Sequence, residues 1–309
     1  RDRRCTMSEQ YIEAHVHMDA WDAATKRRIR ESGVAQYWVM DISHPQLNTK
    51  NADRKTILRA AHDMPGRIIP FAMIQWGADE RQVEAYFRAG FTGLKAIVPP
   101  KPYNDNAYLP IYEAAAHFAM PILFHTGIIA HSNDTVKEPL RRGYGPANME
   151  PAFLATIADM FPSLELIGGH MGFPYTEQTE NNLYYYPNIH HDISGYVSLE
   201  WLMSVLERRA CAYLGGARFF HEKLLLATDL FIGNKNSELW GKEKREAWRL
   251  FFKYLAYNHS WSLEADNIFY RNAKRLMDKV QRRQASIRAR LKRKRSGPGT
   301  AIVKKRGTR

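Results

Sequence analysis

A strand-like run near the start of the chain reads Tyr11-Ile-Glu-Ala-His15-Val-His17-Met18 and places two histidines where the run ends. Alternate residues of a strand face the same side, roughly 6.5 Å apart, so both imidazoles can turn toward one ion. Three later apolar runs also end in a residue that binds metals: Pro121-Ile-Leu-Phe-His125, Leu164-Glu-Leu-Ile-Gly-Gly-His170 and Leu224-Leu-Leu-Ala-Thr-Asp229. Imidazoles and a carboxylate from separate strands suit a divalent metal that keeps one position open for water. The pattern therefore predicts a metalloenzyme.

Strand-like runs alternate with segments of helical spacing along most of the chain. The runs cover residues 11–18, 34–42, 67–74, 92–98, 121–125, 164–168, 188–193 and 223–228. The helical segments cover 51–62, 79–89, 109–119, 149–160 and 199–219, and two further helices, at 242–257 and 263–281, follow the last strand. Alternation of this kind implies parallel strands that are joined by crossover helices.

This order of elements favours a (β/α)₈ TIM barrel, an α/β fold in which every candidate ligand lies at the C-terminal end of its strand. An open doubly wound sheet is the alternative, but no Gly-x-Gly-x-x-Gly motif follows the first strand. The two longest loops, at 128–148 and 230–242, are predicted to lie at the same end and to bind substrate. We place the barrel domain at residues 7–280, with Met7 as the expected natural start.

The net charge of +13 is concentrated at the C-terminus. Residues 281–309 carry twelve Lys and Arg and no acid, which leaves about +1 for the rest of the chain. This segment has too few apolar residues to fold alone, so we predict a basic disordered tail. Binding of the tail to nucleic acid or another acidic surface is the alternative. Nucleic acid is not the expected partner of the barrel.

Cysteine content and hydropathy indicate the compartment. The chain has two cysteines, Cys5 and Cys211, which excludes a disulfide framework and a Cys-rich metal motif. No signal-peptide core and no apolar run of about 18 residues is present, so we expect a cytoplasmic protein with no membrane contact. The partners expected are a small-molecule substrate and, in a homodimer, a second copy of this chain.

Several motifs together resemble those of the amidohydrolase superfamily, in its amidohydrolase-related branch, over residues 10–280. The matching stretches include Glu13-Ala-His-Val-His17, Pro121-Ile-Leu-Phe-His-Thr-Gly127, Phe161-Pro-Ser-Leu-Glu-Leu-Ile-Gly-Gly-His-Met-Gly172, Asp192-Ile-Ser-Gly195 and Ala227-Thr-Asp229. The resemblance implies a metal-dependent barrel with one divalent ion, commonly zinc. The implied ligands are the residues that match His15, His17, His125 and Asp229. His170 would stand beside the metal as a catalytic residue.

The expected activity follows from this implied site. A divalent metal lowers the pKa of a bound water to around 7 and polarises a substrate oxygen. Asp229 would take the proton of that water, and His170 would stabilise the charge that develops. We therefore expect a hydrolase of small carboxylated or cyclic esters or amides. The alternatives are a non-oxidative decarboxylase of a small unsaturated or aromatic acid, and a binding protein built on an inactive barrel.

Four residues outside the ligand set are candidates for substrate binding. Lys95 ends the fourth strand, and Trp76 follows the third. Arg141 and Arg142 lie in the loop after the fifth strand, where a guanidinium can clamp a substrate carboxylate by two hydrogen bonds. The structural alternatives are a lysine that pairs with a carboxylate, an aromatic ring packed at the rim, and exposed loop charges.

Overall fold

The computed structural model of this chain describes residues 10–43, 51–129, 146–195, 222–258 and 265–296. Within these ranges the strands form a single parallel sheet in which each strand from β1 to β8 pairs with the next, and β9 pairs with the free edge of β1. The strands are β1 (Tyr11–Met18), β2 (Val34–Met40), β3 (Ile68–Met73), β4 (Gly93–Ala96), β5 (Ile122–Phe124), β6 (Leu166–Gly168), β7 (Ile189–Asp192), β8 (Leu224–Leu225) and β9 (Phe231–Ile232).

The sheet closes into a barrel between the end of β8 and β1. Backbone hydrogen bonds join the segment after β8 to β1: Ala14 N to Leu226 O (2.9 Å), Asp229 N to His15 O (3.1 Å) and His17 N to Leu230 O (2.8 Å). Strand β9 continues this pairing, so residues 224–232 together occupy the position of the eighth strand and close the barrel. The predicted TIM-barrel fold is confirmed. The predicted loop at 230–242 is wrong over most of its length, because Phe231 and Ile232 pair with His17 and Met18 and a helix begins at Lys235.

Helices connect the strands and pack around the barrel. They are α1 (Ala23–Glu31), α2 (Arg54–Asp63), α3 (Arg81–Ala89), α4 (Leu109–His117), α5 (Ala152–Met160), α6 (Thr176–Tyr185), α7 (Lys235–Asn258) and α8 (Asn272–Ser296). Helix α7 begins seven residues before the predicted 242, because the side chain of Asn234 accepts the backbone N–H of Ser237 and caps it. No described helix is long and apolar enough to cross a bilayer. The helix predicted at 199–219 lies outside the described residues.

The barrel interior is filled by side chains from strands on opposite sides of the ring. One cluster of buried side chains joins Ile12, Trp38, Phe71, Leu123 and Ile167 from five different strands. Contact between strands this far apart in the sheet order is available only inside the barrel. The same cluster includes Ala273, Leu276, Met277 and Val280 of α8. Helix α8 therefore packs against the inner core of the barrel. The candidate site residues lie at the C-terminal ends of the strands.

The basic C-terminal segment differs from the predicted disorder over the part that the structure describes. Helix α8 continues past residue 281 to Ser296, while residues 297–309 lie outside the described residues. Gln284, which is 4% exposed, donates its side-chain N–H groups to Thr92 O (2.7 Å) and Ala119 O (3.0 Å). Ile287 also packs against the core. Contacts with the barrel supply the stabilisation that the composition of this segment lacks.

Replacing Gln284 by alanine is expected to lower the free energy of unfolding by about 1–3 kcal/mol, because the carbonyls of Thr92 and Ala119 lose a buried donor. Urea denaturation followed by circular dichroism measures this. The matched control is Gln281→Ala, on the exposed side of the same helix. Equal small effects of the two substitutions would show that α8 is not anchored at this point.

His191 is expected to make the fold sensitive to acid. Its ring is fully buried on β7 against Gly168, where a Cβ would lie 2.1 Å from the ring. Burial lowers the pKa of His191 from 6.5 to about 3. Between these two values the unfolded chain takes up a proton that the native ring does not, so stability falls as the pH drops from 6.5 toward 3.

The measurement is urea denaturation at a series of pH values from 7 down to 4. His191→Leu should lose less stability than the wild type over this range, and His62→Leu, at a side chain that is 91% exposed, should leave the profile unchanged. A wild-type profile reproduced by His191→Leu would contradict this origin of the acid sensitivity.

Candidate metal centre

The residues predicted to hold or assist the metal meet at one end of the barrel. They come from the C-terminal ends of different strands: His15 and His17 on β1, His125 after β5, His170 after β6 and Asp229 after β8. Ring contacts link the four histidines in series, with centroid separations of 5.3 Å for His15–His17, 5.0 Å for His15–His170 and 4.6 Å for His125–His170. The carboxylate of Asp229 contacts His15 and His17.

An irregularity in β1 turns His15 toward the barrel interior. The pairing of β1 with β2 shifts register between Glu13 and Val16. In this interval β1 contains one residue more than β2, which is a β-bulge. Ala14 packs in the inner cluster, and its neighbour His15 nevertheless contacts Lys95 inside the barrel. Simple strand alternation would put these two side chains on opposite faces. The bulge therefore helps to assemble the site.

His15, His17 and Asp229 form a three-residue group with the dimensions of a metal site. The Nε2 atom of His17 lies 3.0 Å from Oδ1 of Asp229, and the Nε2 atom of His15 lies 3.6 Å from the same oxygen. One ligand atom from each of the three residues lies within 4.8 Å of the others. The arrangement is compact enough for all three groups to share one cation.

Hydrogen bonds assign the proton positions on these imidazoles. Nδ1 of His17 lies 3.1 Å from the carbonyl oxygen of Met40, which can only accept, so Nδ1 carries the proton. Nδ1 of His15 likewise faces the Asp192 carboxylate at 3.0 Å. In the neutral rings both Nε2 atoms then carry lone pairs: that of His17 lies beside Asp229, and that of His15 lies within reach of Asp229 and of Nζ of Lys95.

Asp229 is held in an unusual conformation that directs its carboxylate into this group. Its backbone is left-handed, with φ of 62°, a strained geometry of the sort that clusters at functional sites. Oδ1 is buried and has no hydrogen-bond donor among the described residues. A carboxylate oxygen that faces two imidazole lone pairs fits a divalent cation.

His125 reaches the centre through His170. Among the described residues it belongs neither to the group of His15, His17 and Asp229 nor to a second compact group formed by His15, His170 and Asp192. Its Nε2 donates to the Ile128 carbonyl (2.9 Å), and its Nδ1 lies 3.2 Å from Nε2 of His170. Burial, above all other causes, lowers the pKa of both rings, which are neutral at pH 7. The Ser194 hydroxyl donates to Asp192 and accepts from Nδ1 of His170, so Nε2 of His170 is an acceptor, as is the facing Nδ1 of His125. The contact between His125 and His170, like that between His17 and Asp229, is suited to a cation. His125 therefore stays a predicted ligand.

Lys95 contacts the predicted ligands directly. It is fully buried on β4, and its Nζ lies 2.9 Å from Nε2 of His15. Burial lowers the pKa of Lys95 to about 8. The structure thus places this predicted substrate-binding residue against the ligand cluster, where its amine donates to His15.

The other predicted substrate-binding residues lie farther out or outside the described residues. The indole N–H of Trp76 donates to the carbonyl oxygen of Ile97 (2.7 Å), and the ring packs at 4.4 Å from the ring of Tyr108. Trp76 is half-buried and so forms part of the aromatic packing after β3. Arg141 and Arg142 lie outside the described residues.

Two residues that bond to the centre were not predicted to act there. Asp192 accepts from His15 and from the backbone N–H of His170, and Ser194 contacts the His170 ring. A sequence signal existed, because the tripeptide Asp-Ile-Ser at 192–194 also occurs at 41–43, after another strand. Such a repeat marks a shared turn at the strand ends where the site lies.

Comparison with known proteins identifies the family. Residues 23–278 match the sequence profile of the amidohydrolase family, which is more than half of the chain. The chain therefore belongs to the amidohydrolase family, an enzyme family, and the predicted resemblance is confirmed. No curated protein matches the chain.

Solved structures confirm the barrel. The chain is similar to an uncharacterised TIM-barrel protein from Bordetella bronchiseptica, with a TM-score of 0.63 and 13% identity over 88% of this chain and 99% of that chain. It is also similar to a probable 2-pyrone-4,6-dicarboxylic acid hydrolase from Acinetobacter baumannii with citric acid bound (TM-score 0.54, 12% identity, 87% and 98% covered). A third similar structure is 2,6-dihydroxybenzoate decarboxylase from Rhizobium (TM-score 0.54, 16% identity, 88% and 99% covered). At these identities the similarity establishes the fold alone.

Proposed function

We propose that this protein is a metal-dependent hydrolase of small carboxylated or cyclic esters or amides. The observation that carries the proposal is the convergence of His15, His17 and Asp229, whose candidate ligand atoms all lie within 4.8 Å of one another. Two imidazoles and a carboxylate this close together would hold a divalent cation. We propose one ion, zinc, with His15, His17, His125 and Asp229 as its ligands.

The residues around this position can carry out the proton transfers of hydrolysis. A divalent ion supplies a Lewis acid that lowers the pKa of water and polarises a substrate carbonyl. Asp229, with 29% of its side chain exposed, is accessible from the open end of the barrel and can receive the proton of an attacking water. Nε2 of His170, which carries no proton in this arrangement, accepts a hydrogen bond from that water.

The substrate class rests on charge. The buried amine of Lys95 lies beside the ligands, and its positive form favours a substrate that carries a carboxylate. A carboxylated substrate also suits non-oxidative decarboxylation, in which a proton replaces the departing carbon dioxide. We retain decarboxylation as the second candidate, because the similar folds include a decarboxylase as well as a hydrolase.

A panel of lactones, cyclic amides and aromatic acids separates the two reactions. The carboxylic acid products are quantified by chromatography, and carbon dioxide is followed in the same samples. We expect acid release without carbon dioxide, lost on chelation and restored by zinc, and absent from Asp229→Asn. Release of carbon dioxide in equal amount to the substrate consumed would assign the decarboxylase instead. Activity that survives complete metal removal would contradict both.

A further inference from the structure

Asp192 is the centre of a hydrogen-bond network that joins two of the site histidines. One carboxylate oxygen, Oδ2, faces Nδ1 of His15 at 3.0 Å. The other, Oδ1, accepts the backbone N–H groups of His170 and Ser194, both at 3.0 Å, and the Ser194 hydroxyl at 2.5 Å. All four residues are at least 95% buried. Asp192 therefore contacts β1 and the turn after β6 at the same time.

Ser194 transmits the effect of Asp192 to the ring of His170. Its hydroxyl has a single proton, which goes to the Asp192 carboxylate, so the oxygen is left to accept from Nδ1 of His170 at 2.8 Å. The proton of His170 is thus fixed on Nδ1, as it is in His15. Both rings direct Nε2 away from Asp192: Nε2 of His15 lies 3.6 Å from Oδ1 of Asp229, and Nε2 of His170 lies 3.2 Å from Nδ1 of His125.

The turn that carries Ser194 is tied to the rest of the barrel. Gly195 adopts φ of +70°, and a Cβ at this position would lie 2.5 Å from Nδ1 of His170, so only glycine fits against the ring. The carbonyl of Gly195 accepts from Nζ of Lys244 on α7 at 2.8 Å. This bond holds the turn against the helix that follows β9.

The related tripeptide after β2 shows that the turn alone does not create this function. There Asp41 accepts the backbone N–H and the hydroxyl of Ser43, as Asp192 does with Ser194. Its second oxygen, however, accepts from Arg54 and from the backbone N–H of Met73. The described contacts of Asp41 include no histidine. The two turns have the same local bonds and differ in what the carboxylate positions.

We infer that Asp192 and Ser194 are positioning residues that fix the tautomers of His15 and His170, so that both present an Nε2 lone pair to the metal position. Asp192 fixes the position of the ring proton in both histidines, and Ser194 fixes it only in His170. The catalytic consequence rests on the function proposed above, whereas the tautomers themselves are measurable without metal or substrate. Ring orientation by an outer carboxylate is a general feature of metal-bound histidines.

Nitrogen-15 NMR of the histidine rings tests this inference directly. The full-length protein is labelled at histidine and held at pH 8 with chelator, and His15→Gln and His170→Gln identify the two rings. The two-bond proton–nitrogen pattern distinguishes a proton on Nδ1 from one on Nε2. We expect the Nδ1–H form for both rings in the wild-type protein.

Substitution should alter the two rings separately. In Asp192→Asn the amide oxygen is expected to keep the three donors at the Oδ1 position, so the amide nitrogen donates to Nδ1 of His15 and drives its proton to Nε2. In Ser194→Ala the proton of His170 should no longer be confined to Nδ1, whereas His15 should keep its Nδ1–H form. Ser43→Ala, the matched control in the second Asp-Ile-Ser turn, should leave both rings unchanged.

Zinc titration of the same variants provides a second readout. We expect Asp192→Asn to weaken zinc binding about 10- to 100-fold, as loss of an outer partner of a ligand does. An Nε2–H form of His15 in the wild-type protein, or an unchanged His15 tautomer in Asp192→Asn, would overturn the inference. Neither result depends on which substrate the enzyme takes, so failure of the hydrolase proposal would be recognised separately.

Discussion

Replacing His17 by alanine is expected to abolish binding of the proposed divalent metal. In the native site the Nδ1 proton of His17 is committed to the Met40 carbonyl, which leaves Nε2 directed at Asp229. Loss of this ligand should lower metal affinity and activity by more than about 100-fold, the upper range for loss of a mere outer partner. Elemental analysis of protein purified without chelators should fall from one equivalent of metal toward zero.

Two further variants make this experiment specific. His62→Ala removes an exposed histidine from α2 and should retain the full equivalent of metal. His125→Ala tests the fourth predicted ligand, whose ring contacts His170 in the present arrangement. Full metal content in His17→Ala would contradict the proposed centre, and full content in His125→Ala alone would reduce the ligand set to three.

Replacing Arg245 by methionine is expected to destabilise the fold by about 3–5 kcal/mol, because it leaves a buried carboxyl group without its partner. Nη1 of Arg245 donates to Oε1 of Glu13 at 2.7 Å, and both side chains are buried. Glu13 also accepts the backbone N–H of Thr228 at 3.0 Å. The pair therefore joins α7, β1 and the strand end that precedes Asp229. Urea denaturation measures the loss.

Two comparisons separate loss of the buried pair from loss of any arginine. Arg81→Met breaks an exposed contact with Asp79, which solvent screens, and should leave the free energy of unfolding close to that of the wild type. The double variant Glu13→Gln/Arg245→Met removes the charge as well as its partner and should be more stable than Arg245→Met alone. A double variant that is less stable than the single one would show that Arg245 acts through packing and not through the charge of Glu13.

The site and the fold share the same closing contact. The backbone N–H of Asp229 donates to the carbonyl of His15, and Thr228 bonds to Glu13, so the bonds that close the barrel also set the separation of two predicted ligands. A local change at this seam is therefore expected to affect stability and metal binding together. The substitution at His17 acts at the metal position without touching the Glu13 ion pair.

The sequence alone determined the barrel and predicted which residues would form the site. Apolar runs of strand length alternate with helical spacing, and the period of each run depends on neighbouring residues only, so the order of strands could be predicted. His15, His17, His125, His170 and Asp229 each end such a run, and parallel strands bring their ends to one side. Composition also located the charge, since residues 281–309 hold most of it.

Only the tertiary structure decided how these residues face one another. The bulge in β1, the contact of His125 with His170 and the bond from Asp192 to His15 depend on strands that are distant in the sequence. The helix that continues to Ser296 likewise depends on the barrel surface on which it packs. The physical reason is common to all of them: side-chain partners and buried area come from long-range packing, which a local pattern does not encode.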